Sequence, residues 1–189
     1  MPWVRPSGRC AAQTRHARAS MIRACSMPIY NSAMPSPLAA LSPLDGRYER
    51  SADPLRAYFS EAALIRYRVL IELEWLKALA AERRIRELKP FSRGTRLALD
   101  RLVAGFAEKD ATHIKNIEAE TNHDVKSIEY WLKGRLARNA EVQRSLEFIH
   151  FACTSEDINN LAYALMLAHA RDRVLLPRVD QLIVALRAL

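Results

Sequence analysis

The chain has 189 residues and a formal net charge of +8 at pH 7; half of its residues are apolar and only five are glycine. This length corresponds to one domain with or without a tail. The abundance of leucine, alanine, glutamate and arginine favours helix, because these side chains lose little conformational freedom there. No stretch approaches the ~20 uninterrupted apolar residues that a membrane-spanning helix requires, so we expect a soluble protein with no membrane partner.

The positive charge is concentrated near the N-terminus. Residues 1–33 contain five arginines but no lysine and no acidic residue, which leaves a net charge of +3 on residues 34–189. A nucleic-acid-binding domain usually carries a concentrated basic face. The nearly balanced charge of the remaining chain therefore predicts no nucleic-acid partner.

The composition of residues 1–33 supports two interpretations. Segments rich in arginine and serine and poor in acids are typical of transit peptides, which would direct the protein to an organelle. Alternatively, residues 1–33 precede the true start of the protein, and translation begins at Met34. We favour this second interpretation and expect a cytoplasmic location. In both cases we expect residues 1–33 to form a disordered basic extension.

The three cysteines, Cys10, Cys25 and Cys153, are widely spaced and form no Cys-x-x-Cys pair. Such spacing indicates neither a zinc knuckle nor a disulfide framework, and it fits a reducing compartment. We expect Cys153 to be a small buried hydrophobic residue.

The first predicted helix follows a turn over residues 43–46. Asp53 and Pro54 have the pattern of a capping residue followed by proline in the first helical position. From there apolar residues recur every three or four positions, which predicts a helix over about residues 53–84. Glu72 lies off this apolar face.

The same apolar spacing predicts the later helices. They cover about residues 95–107, 110–120, 125–137, 145–150 and 155–173, and a further apolar pattern begins at Val174. No period-2 alternation typical of strands occurs, so we predict an all-α fold. The last pattern is still running at Leu189 without a stop signal, which indicates a fragment.

Three polar clusters interrupt the apolar helical pattern and are candidate binding sites. Arg47 and Tyr48 place a planar cation beside a phenol, a pair that suits a phosphate or a carboxylate. Thr154 and Ser155 open a helix, where two hydroxyls and free backbone N–H groups suit an anion. The ordinary structural alternatives are a surface arginine beside a packed tyrosine, and simple capping of a helix.

The remaining cluster, Asn122, His123 and Asp124, lies at a predicted junction between two helices. Histidine is the side chain that exchanges protons near neutral pH, and a neighbouring carboxylate can orient or charge it. The same three residues also suit the capping of helix ends, so both interpretations stay open.

A different interpretation of the acidic and histidine residues is a di-metal site. Glu120-x-x-His123 and Glu147-x-x-His150 share a pattern that holds metal pairs in helical bundles, together with glutamates from other helices. Glu72 or Glu74 could supply a further ligand. We disfavour this interpretation because Asn122 predicts a turn where the pattern needs a continuous helix, and we expect no metal.

Three strings in the sequence carry a resemblance to a known family. They read Ser-Pro-Leu-Asp-Gly-Arg-Tyr at 42–48, Thr-Asn-His-Asp-Val-Lys at 121–126 and Glu-Phe-Ile-His-Phe-Ala-Cys-Thr-Ser-Glu-Asp-Ile-Asn-Asn at 147–160. In this order and spacing they resemble bacterial-type adenylosuccinate lyases of the fumarase/aspartase superfamily, and the similarity extends over about residues 41–189.

The resemblance implies an enzyme of purine biosynthesis that needs no metal or organic cofactor. It would eliminate fumarate from adenylosuccinate to give AMP, and also from succinyl-aminoimidazole carboxamide ribotide. The implied assembly is a homotetramer around a long helical bundle, with an N-terminal helical domain at 34–150 and the start of the bundle at 151–189. The positions implied to bind the substrate are Arg47, Tyr48, Asn122, His123, Asp124, Thr154 and Ser155.

The strings that carry the family's catalytic histidine and serine do not occur in this chain, so we assign no catalytic residue. We therefore expect the chain alone to be inactive. Apolar helix faces near its end, such as that of Leu182, should also make it prone to aggregation. The alternative function is a non-catalytic helical module that binds a nucleotide.

Overall fold

A computed structural model describes residues 42–189, and all regular structure within this range is helical. The all-α prediction is therefore confirmed. The predictions for residues 1–33, for a start at Met34 and for Cys10 and Cys25 lie outside the described residues. The helices are α1 Glu49–Phe59, α2 Glu61–Ala81, α3 Arg93–Ala104, α4 Glu108–Thr121, α5 Asp124–Leu136, α6 Ala140–Gln143, α7 Ser155–Ala170 and α8 Leu176–Arg187.

Helix α2 forms the centre of the fold. It contacts α1, α3, α4, α5 and α7, and a helix surrounded in this way is buried on most of its faces. Its largest buried apolar side chains are Ile65, Tyr67, Leu70, Leu73 and Leu76, each at most 1% exposed. Helices α3, α4, α5 and α7 bury apolar residues against it, and the resulting core cluster includes residues from Ile65 to Met166.

The predicted start of the first helix is wrong. Helix α1 begins at Glu49, and Pro54 lies inside it. The helix ends at Phe59, and Ser60 separates it from α2. The backbone of Ser60 is extended, and its hydroxyl accepts the N–H of Ala63 at 3.2 Å, which is N-cap geometry. Asp53 instead pairs with Arg56 one turn further along α1, at 3.4 Å.

The other helix predictions are close to the observed elements. The break at residues 122–124 and the helix start after Thr154 are confirmed. Helix α6 was not predicted, and the short helix predicted at 145–150 is a single 3₁₀ turn, Leu146–Phe148. Short segments of this kind lack the repeated apolar spacing that identifies a longer helix.

Helices α7 and α8 follow each other without a break, joined by a π-helical turn, Arg171–Leu175. Pro177 lies directly beyond this turn. Because proline has no N–H and its ring crowds the carbonyl four residues earlier, a regular α-helical ladder cannot continue unchanged here. The two apolar patterns predicted for this region are thus parts of one continuous helical segment.

An apolar face that runs from the end of the π-helical turn along α8 is exposed in the described structure. Leu175, Val179, Leu182 and Leu186 are 48–60% exposed, as expected from the sequence. No helix within residues 42–189 is long and apolar enough to cross a membrane.

Substitutions at Ser60 and at Asp53, the capping residue predicted from the sequence, test which of the two caps a helix. Ser60→Ala should lower the free energy of unfolding by about 1 kcal/mol, because the amide of Ala63 loses its acceptor. Asp53→Ala is the matched control and should change stability by about 0.5 kcal/mol or less, because the Asp53 side chain is 67% exposed and solvent screens its 3.4 Å contact with Arg56. Urea unfolding followed by circular dichroism measures both; a larger loss for Asp53→Ala than for Ser60→Ala would contradict the observed helix boundary.

Candidate functional site

The cluster at 122–124 forms the junction between α4 and α5. Asn122 ends α4 in the left-handed conformation, with φ 50°, and its side chain forms no hydrogen bond within the described range. His123 caps α5, since its Nδ1 accepts the backbone N–H of Lys126 at 3.2 Å. The capping interpretation is therefore correct for the backbone, while the Asn122 amide and the other ring nitrogen of His123 are left available.

The neighbouring Asp124 is held by an arginine from the central helix. The guanidinium of Arg68 donates one hydrogen bond from Nη2 to Asp124 Oδ2 at 2.7 Å and another from Nε to Asn159 Oδ1 at 2.8 Å. Arg68 is 5% exposed, and a buried cation needs such partners. Because Asn159 lies on α7, Arg68 brings the start of α5 and the first turns of α7 together.

The cluster of Thr154 and Ser155 begins α7. Thr154 and Asp157 form a capping box, in which Asp157 Oδ2 accepts the Thr154 N–H at 2.8 Å and the Thr154 hydroxyl at 2.9 Å. These bonds lower the pKa of Asp157. The hydroxyl of Ser155 forms no hydrogen bond within residues 42–189 and is free to meet a ligand.

Arg47 and Tyr48 lie where the N-terminal turn meets α1. The turn is closed by the Tyr48 N–H, which donates to the Pro43 carbonyl at 2.7 Å, and the Arg47 guanidinium lies 5.5 Å from the Tyr48 ring centre. No hydrogen bond or ion pair among the described residues joins this pair to the other two clusters. Helix α1 does pack against α7, so this cluster belongs to a helix that neighbours the Thr154 cluster.

A strained loop leads into α7. His150 and Ala152 both have left-handed backbones, with φ 62° and 58°, which costs non-glycine residues about 1–3 kcal/mol each. Two bonds to α2 hold the loop: His150 Nδ1 lies 2.6 Å from Glu72 Oε1, and Trp75 Nε1 donates to the Phe151 carbonyl at 2.8 Å. Burial raises the pKa of Glu72, and the bond to His150 offsets only part of this effect.

A cavity of about 780 Å³ lies between α2, α3 and the start of α7. Its walls are mainly apolar and include Trp75, Leu97 and Leu161. At its edge Lys77 bridges Glu74 and Asp100 at 2.6 and 2.7 Å. None of the seven substrate-binding residues predicted from the sequence lines this cavity, but Asp157, which accepts hydrogen bonds from Thr154, does.

Comparison with known proteins places these features in a family. The family model described as "Lyase" matches residues 46–189. The chain belongs to this lyase family. It is 55% identical over 148 residues to the adenylosuccinate lyase of Haemophilus influenzae, 51% over 154 residues to that of Vibrio cholerae and 53% over 148 residues to that of Escherichia coli K12.

These matches cover 78%, 82% and 78% of this chain but only 32%, 34% and 32% of the respective relatives. The resemblance to adenylosuccinate lyases that the three strings carry is thus confirmed. The chain spans about a third of the length of these curated relatives.

The di-metal interpretation finds no support in the described part of the chain. Within residues 42–189 no group of three or more histidine, cysteine, aspartate or glutamate residues could hold a metal ion. The end of α4 separates Glu120 from His123, while Glu147 pairs with Lys133 at 2.8 Å. Cys153 is partly buried against the core, as expected of a small hydrophobic residue, and burial raises its pKa.

The sequence analysis did not identify Arg68 as a site residue, and it considered Glu72 only as a possible metal ligand. Their contacts span 56, 91 and 78 residues along the chain, so no local pattern could reveal them. The available signal was the placement of charged residues within a long apolar helix, since a buried charge requires a partner.

The strain in the loop before α7 predicts the effect of a substitution. Ala152→Gly should raise the free energy of unfolding by about 0.5–1 kcal/mol, because relief of the left-handed backbone exceeds the greater entropy of unfolded glycine. Ala164→Gly, in the exposed interior of α7, is the matched control and should lower stability by about 1 kcal/mol. Urea unfolding of both variants checks the signs; a loss of stability at both positions would contradict the loop geometry.

Proposed function

We propose that residues 42–189 supply part of the substrate site of an adenylosuccinate lyase, which eliminates fumarate from adenylosuccinate and from succinyl-aminoimidazole carboxamide ribotide. The observation that carries this proposal is the bridge from Arg68 to Asp124 and Asn159. It brings the junction of α4 and α5 close to the start of α7. The similarity to curated adenylosuccinate lyases supports the same assignment.

The proposed substrate carries a phosphate and two carboxylates, and the available groups are suited to anions. Ser155 offers a free hydroxyl beside the first N–H groups of α7, where a helix favours negative charge. Thr154 is a weaker candidate for direct contact, because its hydroxyl already donates to Asp157. Arg47 is exposed at the start of α1 and suits the phosphate, with Tyr48 beside it.

His123 is poised to donate rather than to accept a hydrogen bond. Because its Nδ1 accepts the Lys126 N–H, the proton of the neutral ring lies on Nε2. Asp124 is unsuited to act as a free base, since its carboxylate oxygens accept bonds from Arg68 and from the backbone N–H of Val125. We assign Asn122 and His123 to hydrogen bonds with the substrate, and Asp124 to the support of that arrangement.

The reaction is a β-elimination. A base removes a carbon-bound proton, the carbon–nitrogen bond breaks, and an acid protonates the leaving nitrogen. Negative charge develops on the succinyl carboxylate, and donors aimed at that charge lower the barrier most. We propose that the N-terminus of α7 and Ser155 supply such donors. The proton transfers are assigned to groups outside these residues, and the chain alone should release no fumarate.

The assembly and location that we propose follow the same assignment. In a cytoplasmic homotetramer, the exposed apolar face that runs from the π-helical turn along α8 would be buried in contacts within a helical bundle; it comprises Leu175, Val179, Leu182 and Leu186. Burial of such a face is favourable in proportion to the apolar area removed from water.

A chimera tests the function directly. Residues 42–189 would replace the matching segment of the Escherichia coli relative, which is 53% identical over 148 residues. We expect the chimera to release fumarate from adenylosuccinate, and Ser155→Ala to lower kcat/KM about 100-fold without changing the melting temperature. Absorbance of the substrate at equal concentrations of folded protein gives the rates.

Thr112→Ala is the matched control, because it removes a hydroxyl that is bonded within the exposed face of α4, and it should leave kcat/KM unchanged. A folded chimera without fumarate release would contradict the lyase proposal. AMP binding without turnover in that chimera would favour a non-catalytic nucleotide module instead.

A further inference from the structure

A fully buried carboxylate lies behind the loop that leads into α7. Glu72 on α2 is 0% exposed, and its Oε1 lies 2.6 Å from Nδ1 of His150. Its other oxygen, Oε2, is buried without a hydrogen-bond partner within the described range. Burial of a carboxylate is costly, so this residue calls for an explanation beyond packing.

The charge of Glu72 does not stabilise the fold. Burial raises the pKa of Glu72, and the nearby carboxylate of Glu129 raises it further, while His150 lowers it in part. An acid whose pKa is higher in the folded state favours folding when it is protonated and opposes folding when it is ionised. The ionised form of Glu72 therefore opposes folding.

The bond to Glu72 fixes the ring of His150. With Nδ1 held at the carboxylate, Nε2 is the only ring nitrogen left for other contacts, and the side chain of His150 is 20% exposed. The ring also lies within electrostatic reach of Asp157: the Thr154 N–H and hydroxyl lower the pKa of that acid, and His150 adds to the effect. His150 thus anchors the loop before α7 to the core helix α2.

We propose that Glu72 is a positioning residue, which sets the tautomer and orientation of His150 and thereby the shape of loop 149–154 that presents Thr154 and Ser155. The kinetic consequence of this inference rests on the proposed lyase function. The structural consequence, the state of the His150 ring, does not. In many functional sites, a carboxylate that accepts a hydrogen bond from one ring nitrogen of a histidine fixes both the tautomer and the orientation of that ring.

Glu72→Gln tests the inference because it keeps the side-chain volume but offers Nδ1 both a donor and an acceptor. In the chimera we expect kcat to fall about 10- to 100-fold, with no loss of melting temperature at pH 7. The matched control is Glu129→Gln. Burial opposes ionisation of Glu129, but Lys126 and Lys133 outweigh burial and lower its pKa, so this variant should lose stability and keep its kcat.

A double variant separates positioning through His150 from any other effect. Glu72→Gln should change kcat less than about 2-fold in a His150→Asn background, because residues that act as a unit are not additive. Full additivity of the two losses, an unchanged kcat in Glu72→Gln, or a fall in stability that parallels the fall in kcat would each overturn the proposal.

Nitrogen-15 spectra of the histidine rings in the intact chain give a readout that needs no activity. We expect His150 to carry its proton on Nδ1 in the parent chain and to lose this preference in Glu72→Gln, whereas Glu129→Gln leaves it unchanged. An Nδ1 without a proton in the parent chain would overturn the inference. If the chimera shows no turnover with Glu72 in place, the lyase proposal fails, and these spectra still decide the role of Glu72.

Discussion

Arg68 occupies a position that would ordinarily hold an apolar residue, in the middle of a helix that packs against five others. A guanidinium in such surroundings is tolerated only if its hydrogen bonds are satisfied, and Asp124 and Asn159 satisfy two of them at 2.7 and 2.8 Å. Meeting this requirement fixes the start of α5 relative to α7. The arrangement of the candidate site depends on this one constraint, because its two best-connected clusters lie at those two positions.

The central helix has a second polar contact of the same kind one turn later. Arg68 and Glu72 are four residues apart and therefore share one face of α2. Arg68 reaches the helix junctions, and Glu72 reaches the loop at His150. The apolar faces of α2 build the core, while this short polar stripe holds the segments that carry Asp124, Thr154 and Ser155. The same helix thus provides both the stability of the fold and the geometry of the site.

The sequence predicted those features that local chemistry determines. Asn122 and His123 end and begin helices through their own side chains and backbone preferences, and Thr154 and Asp157 form a capping box within four residues. The helix boundary at Ser60 was missed because Asp53 and Pro54 present a similar local signal. Contacts between distant segments, such as Arg68 with Asn159, follow from packing and were beyond reach of the sequence pattern.

A double-mutant cycle between Arg68 and Asp124 tests the central claim most directly. Urea unfolding of the intact chain would be measured for Arg68→Gln, Asp124→Asn and both changes together. Because the two side chains form a bond at 2.7 Å and Arg68 is buried, we predict a coupling energy of about 1.5–3 kcal/mol. A coupling below about 0.5 kcal/mol, the range of independent sites, would contradict the account that Arg68 holds these clusters together.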